Sequence, residues 1–472
     1  MTFSPNPVNV DRLVFRQALL AIGALLIGFA GVASAQEAPQ SASLVGNWDG
    51  TFGEYADVWG DGDYAYVSRF GTPTVHVIDI SVPAAPVEVA EFTAPDSIPI
   101  PRHGDRSGSA QDVKVFDGLM FVGVEESNDP GFSGRTVIAD VRDPTNPIAL
   151  TVVNTMDSIG VHNTFYADGF LYQADSERDI VSIVDLTSYD PDAAPSFIGA
   201  EKWRLGPIGG DFVHDITVAD GRLYVSAWNG GIHIFDVTDI TSMPPVFLGS
   251  YRGKATHSAW PTDDGNFVVT GEERRRGGIT VHRITDNGGS LTLKKTDKIK
   301  LKTKQATSVH NQVMVGNRLY NSWYEAGLRV YDIDPITGQL FFVASYDTTG
   351  ELPGDYFGAW GIYPLLGADK VLITDIRGGL NIIDAHGDLP CEEISEVRSV
   401  RCKSGRIKAK VVMTDRLRDR QKLTFGIDGD SLDIRVKRGV AKLKHNGGYS
   451  GAQTLTLSSP AACAAPIDVD CG

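Results

Sequence analysis

Four histidines recur at similar distances along this chain of 472 residues: His162, His214, His257 and His310. Successive members of the set are 52, 43 and 53 residues apart. Neutral imidazole is a ligand for zinc, copper, iron and nickel. Three or four imidazoles on separate rigid strands could hold one such ion and leave a position for water or substrate. The set can do this only if the fold brings four distant segments to one place.

The histidine spacing belongs to a longer repeat of about fifty residues, which occurs seven times. Each copy contains a first strand, a Gly/Asp turn, a second strand, and a third strand that usually ends apolar-apolar-Asp, as in Val75–Asp79 and Ile232–Asp236. Dipeptides such as Asp117-Gly118 and Asp220-Gly221 indicate tight hairpins, because these residues accept positive φ. The first strands begin near seven equivalent residues: Asp57, Asp112, His162, His214, His257, His310 and Trp360.

A fourth strand follows most copies, usually after a proline, as at Pro195–Gly199 in the third copy. Seven units of four antiparallel strands predict an all-β fold, a seven-bladed β-propeller. The seventh copy has no clear fourth strand after Asp384, whereas Ser43–Trp48 precedes the first copy and resembles one. We therefore expect this N-terminal strand to close the last blade, which removes an open sheet edge. The propeller is expected to span residues 43–388.

In a propeller, the first strand of each blade runs beside the central axis. Equivalent residues at the seven strand starts should therefore meet at one mouth of the channel, and the four histidines form the predicted metal site. Glu272 is the candidate general base or additional ligand, since a carboxylate beside a metal ion can activate water. The candidate ligand-binding rim consists of Asp112, Asp215, Trp228, Trp323, Tyr324 and Arg377. The alternative is that the histidines are structural and bond to neighbouring blades.

The N-terminal segment has the pattern of a secretory signal peptide, predicted to span residues 1–35. Arg12 and Arg16 precede the apolar run from Ala18 to Val32, and Ala33-Ser34-Ala35 is a small-residue cleavage site. No second long apolar segment follows, so we expect no transmembrane segment in the mature chain. The pattern predicts a secreted, periplasmic or cell-surface protein.

All four cysteines lie in the C-terminal segment: Cys391, Cys402, Cys463 and Cys471. An even count in an exported chain predicts two disulfides, with three possible pairings. A zinc site is the weaker alternative, because no Cys-x-x-Cys pair is present. Alternation of apolar and polar residues, as in Ile407–Met413, predicts strands. Residues 391–472 are thus expected to form a small β-sandwich-like domain.

Charge is unevenly distributed along the chain, whose net charge is −16. Residues 391–472 carry 15 Lys and Arg against 10 Asp and Glu, whereas residues 1–390 carry 28 against 49. A strongly acidic propeller argues against nucleic acid as a partner. It is compatible with cations, sugars or basic proteins.

The third strands Val75–Asp79, Ile183–Asp185 and Ile382–Asp384 resemble the repeat named for its consensus, LVIVD. The wider pattern is similar to exported bacterial propellers called choice-of-anchor B proteins. The stretches that carry this similarity are Gln111–Val115, Val213–Asp215, and Thr256–Trp260 continuing to Gly271–Glu273. The resemblance covers residues 43–386 and implies a propeller at the cell surface or outside the cell. It implies no particular reaction.

Three functions are compatible with these patterns. The first is an exported propeller that binds an unidentified small molecule or surface partner at the channel mouth, together with a His-coordinated zinc, copper or iron ion. The second is a metal-dependent hydrolase or oxidase that uses the same histidines. The third is a cell-surface adhesion or scaffold protein in which the histidines are structural. The sequence does not decide whether the protein is an enzyme.

Overall fold

The computed structural model describes most of the chain after residue 41. The described ranges are 42–50, 53–95, 108–125, 134–154, 160–175, 178–193, 196–198, 200–210, 212–301, 308–350, 356–386, 394–413, 422–427, 429–437, 439–459 and 466–471. The predicted signal peptide, residues 1–35, lies outside them. Strands are the only regular elements in these ranges, and no helix in them has the length and hydropathy needed to cross a membrane.

Residues 43–384 form a β-propeller of mainly antiparallel sheets; within the described ranges six of these sheets have four strands and one has five. Their strands in chain order are β1 (Ser43–Trp48), β2 (Tyr55–Asp61), β3 (Tyr64–Arg69), β4 (Thr74–Asp79), β5 (Val87–Thr93), β6 (Ser109–Phe116), β7 (Leu119–Glu125), β8 (Arg135–Asp140), β9 (Ile148–Val153), β10 (Val161–Ala167), β11 (Phe170–Asp175), β12 (Ile180–Asp185), β13 (Ser196–Ile198), β14 (Trp203–Leu205), β15 (Asp215–Ala219), β16 (Arg222–Ser226), β17 (Ile232–Asp236), β18 (Val246–Tyr251), β19 (Thr256–Pro261), β20 (Phe267–Glu272), β21 (Ile279–Asp286), β22 (Leu291–Ile299), β23 (Gln312–Val315), β24 (Arg318–Trp323), β25 (Gly327–Ile333), β26 (Leu340–Tyr346), β27 (Ala359–Tyr363), β28 (Val371–Asp375) and β29 (Gly379–Asp384).

The sheets follow one another in chain order. The first is β2–β5, the second β6–β9 and the third β10–β12 with β14; the next three are β15–β18, β19–β22 and β23–β26. The seventh sheet combines β27–β29 with β1. The innermost strands are β2, β6, β10, β15, β19, β23 and β27. Each contacts the next, and β27 contacts β2. The sheets therefore surround a central channel.

The N-terminal strand supplies the outer strand of the seventh sheet. β1 pairs antiparallel with β29, from Ser43 opposite Asp384 to Trp48 opposite Leu380. This is the pairing expected from the missing fourth strand of the last repeat. It joins the two ends of the propeller by a ladder of backbone hydrogen bonds.

The third sheet differs from the sequence-based expectation. The segment expected as its fourth strand, Pro195–Gly199, contributes β13, which pairs in parallel with β9 of the second sheet. The outer position of the third sheet is taken by β14, which pairs with β12. Proline and apolar residues mark a strand, but they do not specify which neighbouring sheet edge it joins.

The turns and the core follow directly from the sequence pattern. Asp117, Asp168 and Asp220 have φ of 52°, 51° and 49°, and each precedes a glycine that also has positive φ, as the Asp-Gly hairpins predicted. Each sheet packs against neighbours on both faces, so consecutive residues of one strand are buried. Val75, Val77 and Ile78 on β4 are all fully buried, which explains the nearly continuous apolar third strands.

The C-terminal segment forms two further sheets. Its strands are β30 (Ile394–Lys403), β31 (Arg406–Met413), β32 (Lys422–Ile427), β33 (Asp430–Arg435), β34 (Val440–Asn446), β35 (Ala452–Ser459) and β36 (Ile467–Asp470). One sheet has the order β30-β31-β34 and the other β33-β32-β35-β36. Both sheets contribute to one core, which contains Val411, Phe425 and Leu455. Arg435 binds Asp297 of the propeller, with 2.8 Å between Nη2 and Oδ2.

One of the expected disulfides joins Cys402 to Cys471, whose Cα atoms are 4.7 Å apart. Cys391 and Cys463 lie outside the described residues, and their pairing stays a prediction. The Cys402–Cys471 bond ties β30 to the segment after β36.

We predict that replacing Cys402 and Cys471 together by serine lowers the free energy of unfolding of the C-terminal sheets. The bridge closes a loop across 69 positions, so its loss should cost about 4 kcal/mol through the entropy of the unfolded chain. Denaturant unfolding of the full chain, followed by hydrogen exchange of the backbone amides in the C-terminal strands, measures the change. An equally stable variant would contradict the prediction.

Candidate metal centre in the central channel

The four histidines lie side by side along one arc of the channel. His162 is on β10 and His257 on β19, while His214 directly precedes β15 and His310 lies two residues before β23. The backbone N–H groups of His214 and His310 donate to the carbonyls of Ser226 and Ser322 in the adjacent second strands. Centroids of successive imidazole rings are 4.1, 4.0 and 4.1 Å apart along the series. The convergence expected from the repeat is therefore present.

All four rings are buried, with side chains at most 9% exposed, and two of them have clear hydrogen-bond partners. His162 Nδ1 is 2.7 Å from Glu125 Oε1. His310 Nδ1 donates to the carbonyl of Trp360 at 2.9 Å, and its ring lies 3.7 Å from the Trp360 ring. This bond fixes the neutral tautomer of His310, which leaves a lone pair on Nε2.

Other ring nitrogens of the arc are buried without a partner in the described part of the chain. They are His310 Nε2, His214 Nδ1 and both nitrogens of His257. A buried polar atom without a partner costs free energy, roughly 1–3 kcal/mol. A ligand or ordered water at these atoms would remove that cost.

The residue that sequence reasoning missed is Glu273, a buried glutamate directly after β20. Its Oε2 is 3.7 Å from His257 Nε2, and its Oε1 accepts a hydrogen bond from the Tyr324 hydroxyl. Ligand atoms of His214, His257 and Glu273 all lie within 4.8 Å of one another. Two imidazoles and one carboxylate are a common ligand set for zinc and iron.

Burial keeps His214, His257 and His310 neutral at physiological pH. It lowers the pKa of His214 and of His257 well below the ordinary 6.5, and the charges of neighbouring histidines lower both further. Burial likewise lowers the pKa of His310 to about 3. Metal ligation requires the neutral imidazole, and these three rings are in that protonation state.

The opposite arc of the channel carries charges that are paired. The Lys114 ammonium is 2.8 Å from Asp57 Oδ2 and in direct contact with Asp112 Oδ1. Asp112 also accepts hydrogen bonds from the backbone N–H and hydroxyl of Thr164, both at 2.9 Å. Burial alone would lower the pKa of Lys114, but the two carboxylates outweigh it and raise that pKa. These contacts link the first three sheets.

Two carboxyl groups near this arc have raised pKa values. Burial raises the pKa of Asp57 to about 7. The negative charge of Asp112 also raises it, whereas the positive charge of Lys114 lowers it. Burial also raises the pKa of Asp215 to about 7. The expected rim residues Asp112 and Asp215 both line the channel cavity and thus belong to the channel wall.

Between the two arcs lies a cavity of about 20 Å³. This is enough for one ordered water and too small for an organic substrate. Its lining consists of Asp57, Gln111, Asp112, His162, Asn163, His214, Asp215, His257, His310, Asn311 and Trp360.

The structure places Glu272 away from the proton-handling position expected for it. Its carboxylate binds Arg274 Nη2 at 2.8 Å and contacts the Lys298 ammonium. Successive side chains at a strand end point in different directions, so the carboxylate that approaches the histidines is that of Glu273. The geometry therefore favours Glu273 over Glu272 as the candidate general base or additional ligand.

The aromatic residues expected on an exposed rim are buried. Trp323 and Tyr324 are 1% and 0% exposed; Trp323 packs in the core, and Tyr324 supports Glu273. Trp228 is 7% exposed and stacks on both Phe212 and His214, with ring centroids 5.1 and 5.3 Å away. Its φ of 42° is unusual for a bulky residue. Of the expected rim, Arg377 is exposed, with its guanidinium 3.9 Å from the Phe357 ring.

Comparisons with known proteins agree with this fold. Residues 53–94 and 209–252 match the family model of the LVIVD repeat. No curated protein matches the chain. The chain is similar to the β-propeller domain of Cps50 (Swd1) from Myceliophteria thermophila, with 12% identity over 73% of this chain and 99% of that one and a TM-score of 0.52. It is also similar to the periplasmic gluconolactonase PpgL of Pseudomonas aeruginosa, with 12% identity over 83% and 98% and a TM-score of 0.48. At these identities the similarity concerns the fold alone.

We predict that Lys114→Met lowers the free energy of unfolding by about 3–5 kcal/mol at pH 8, because it leaves two buried carboxylates without their cation. The loss should shrink on acidification, as Asp57 takes up a proton. Urea unfolding at pH 8 and pH 5 measures both effects. Adding Asp57→Asn should restore part of the stability at pH 8; a loss below 1 kcal/mol in the single variant would contradict the prediction.

A second prediction concerns acid stability. Between pH 6.5 and about 3 the unfolded chain binds a proton at His310 that the folded chain does not, so stability falls as the pH is lowered through this range. His310→Gln should reduce that slope by about 1.4 kcal/mol per pH unit. Urea unfolding of EDTA-treated protein between pH 4 and pH 6 measures the slope, and pH 8 gives the baseline cost of the substitution. If the free energy of unfolding of the wild type and of His310→Gln fell equally steeply with falling pH, the prediction would be contradicted.

Proposed function

We propose that this chain is an exported, seven-bladed β-propeller that binds a divalent transition-metal ion in its central channel. His214, His257 and Glu273 are the primary ligands, and His162 and His310 flank them. The observation that carries the proposal is a pair of buried, neutral imidazoles whose unpartnered nitrogens lie beside a buried carboxylate. Zinc, copper or iron suits this ligand set.

The supporting contacts resemble those that usually orient metal ligands. Ligating side chains are commonly held by hydrogen bonds from a further shell of residues. Tyr324 donates to Glu273, Glu125 lies against His162, and the Trp360 carbonyl accepts from His310. Trp228 stacks on His214. These contacts restrict the rings to one orientation, which lowers the entropy cost of binding an ion.

Binding is favoured over catalysis by the size of the cavity. The space at the histidines, about 20 Å³, suits an ion or one ordered water better than an organic substrate, so a metal-dependent hydrolase or oxidase would have to take its substrate beside this space. An adhesion or scaffold role with structural histidines would need ordered water at the unpartnered ring nitrogens. Export to the periplasm, cell surface or medium follows from the predicted signal peptide, and residues 391–472 form the proposed disulfide-bearing β domain.

The proposal predicts that purified mature protein, reconstituted with zinc, copper or iron and dialysed, retains one equivalent that the His214→Ala/His257→Ala variant lacks. Elemental analysis measures the difference. Glu273→Gln should weaken binding at least tenfold while still accepting the Tyr324 hydrogen bond. His282→Ala is the matched control, since His282 is 2% exposed and lies outside the channel, with Nε2 3.1 Å from the Thr270 hydroxyl.

Equal metal content in the wild type and the double variant would contradict the proposal. If the double variant then lost as much thermal stability as His282→Ala, the histidines would be structural. Turnover of a lactone or a thiol by the metal-loaded wild type, absent from the double variant, would support the enzyme alternative.

A further inference from the structure

A second cluster of metal-ligating side chains lies on the outer half of the first sheet, remote from the channel. His76 on β4 is 1% exposed, and its Nδ1 is 2.9 Å from Glu88 Oε1 and 3.9 Å from Glu91 Oε2. Both glutamates are on β5. The ligand atoms of these three residues lie within 4.8 Å of one another.

A β-bulge places both carboxylates beside the imidazole. Glu91 is directly opposite His76, whereas the register shifts between Val77 and Ile78, so that Val89 is the extra residue and Glu88 faces Ile78. Residues three apart on a regular strand point to opposite faces. The bulge reverses that alternation and brings Glu88 and Glu91 to the same face, a use of bulges that recurs at binding sites.

The environment of the other ring nitrogen bears on where the imidazole carries its proton. His76 Nε2 is buried and has no partner in the described ranges, and the His76 ring lies beside two aromatic rings, with the Trp48 and Tyr55 ring centroids 5.2 and 5.8 Å from its own. A ring N–H interacts favourably with an aromatic face, whereas a bare lone pair does not. With the proton on Nε2, the lone pair of Nδ1 points at the Glu88 carboxylate 2.9 Å away, which requires a positive charge at this contact: a bound metal ion or a second proton on the ring.

The chain contains its own comparison for this cluster. His233 occupies the equivalent position in the fourth sheet, beside an equivalent bulge. Its counterparts of Glu91 and Glu88 are Ser250 and Phe247, and its ring lies 6.2 Å from the Phe247 ring. The bulged backbone therefore does not by itself require glutamates at the two positions that face the histidine.

We propose that His76, Glu88 and Glu91 form a second, solvent-accessible zinc site. Two ligand atoms about 2.0–2.1 Å from a tetrahedral zinc ion are about 3.3 Å apart. Zinc binding would therefore move the part-exposed Glu88 carboxylate, now 2.9 Å from His76 Nδ1, outward by a few tenths of an ångström. The Glu91 side chain is 55% exposed, so it can rotate to complete the set while water fills the remaining position. An imidazole ligand favours zinc over calcium or magnesium, which prefer oxygen. This site is independent of the channel site.

The experiment uses the full mature chain with the His214→Ala/His257→Ala substitutions, which remove the channel ligands. Calorimetric titration with zinc chloride at pH 7.5 should show one saturable site. Adding Glu88→Gln/Glu91→Gln should weaken that site at least tenfold, because glutamine cannot supply the charge. His233→Ala is the matched control and should leave the titration unchanged. Replacing the two surface glutamates avoids disturbing the buried ring.

No saturable zinc binding, or binding unaffected by Glu88→Gln/Glu91→Gln, would overturn this proposal and assign the cluster to a protonated imidazole paired with carboxylates. If the channel double variant does not fold, the same two glutamine substitutions in the wild-type chain should remove one zinc equivalent, and unchanged stoichiometry would overturn the proposal. A failure of the proposed channel site would be distinguishable from this result. In that case the wild type and the His214→Ala/His257→Ala variant would have equal metal content.

Discussion

The contact of Lys114 with Asp57 and Asp112 is the interaction on which the channel depends. Polar side chains at the inner strand starts are removed from water as the sheets close, and a buried charge is tolerated only when it is paired. Lys114 satisfies this condition for the first two sheets, and Thr164 extends the connection to the third. On the opposite arc, imidazoles that pack edge-on or tilted against one another take the place of charged groups. The charges of the Lys114 arc are thus paired with one another. The histidine arc keeps ring nitrogens that have no hydrogen-bond partner in the described part of the chain.

Sequence periodicity was sufficient to predict the propeller, its closure by the N-terminal strand and the meeting of the four histidines. These follow because equivalent positions of a cyclic repeat converge on the axis. Glu273 could not be found in this way, since nothing in the period distinguishes it from Glu272 at the end of β20. The burial of Trp323 and Tyr324 was missed for a similar reason: an aromatic residue after a second strand reads as loop surface until the adjacent sheet is in place.

The same backbone position supports different chemistry in different sheets. His76 and His233 are equivalent in the repeat, yet one lies beside two carboxylates and the other beside Phe247 and Ser250. At the inner strand starts, the equivalent residues are aspartate on one side of the channel and histidine on the other. The repeated scaffold sets where side chains meet, and substitution at single positions sets what they can bind.

The pairing of β1 with β29 has a consequence for the order of events in biosynthesis. The two strands are separated by more than 330 residues, so the seam can form only after nearly the whole propeller has been synthesised. Such distant pairing is slow, and partly assembled sheets with open edges are prone to aggregate. Because β1 begins a few residues after the predicted cleavage site, translocation of the chain as an extended polypeptide would postpone ring closure until it has crossed the membrane.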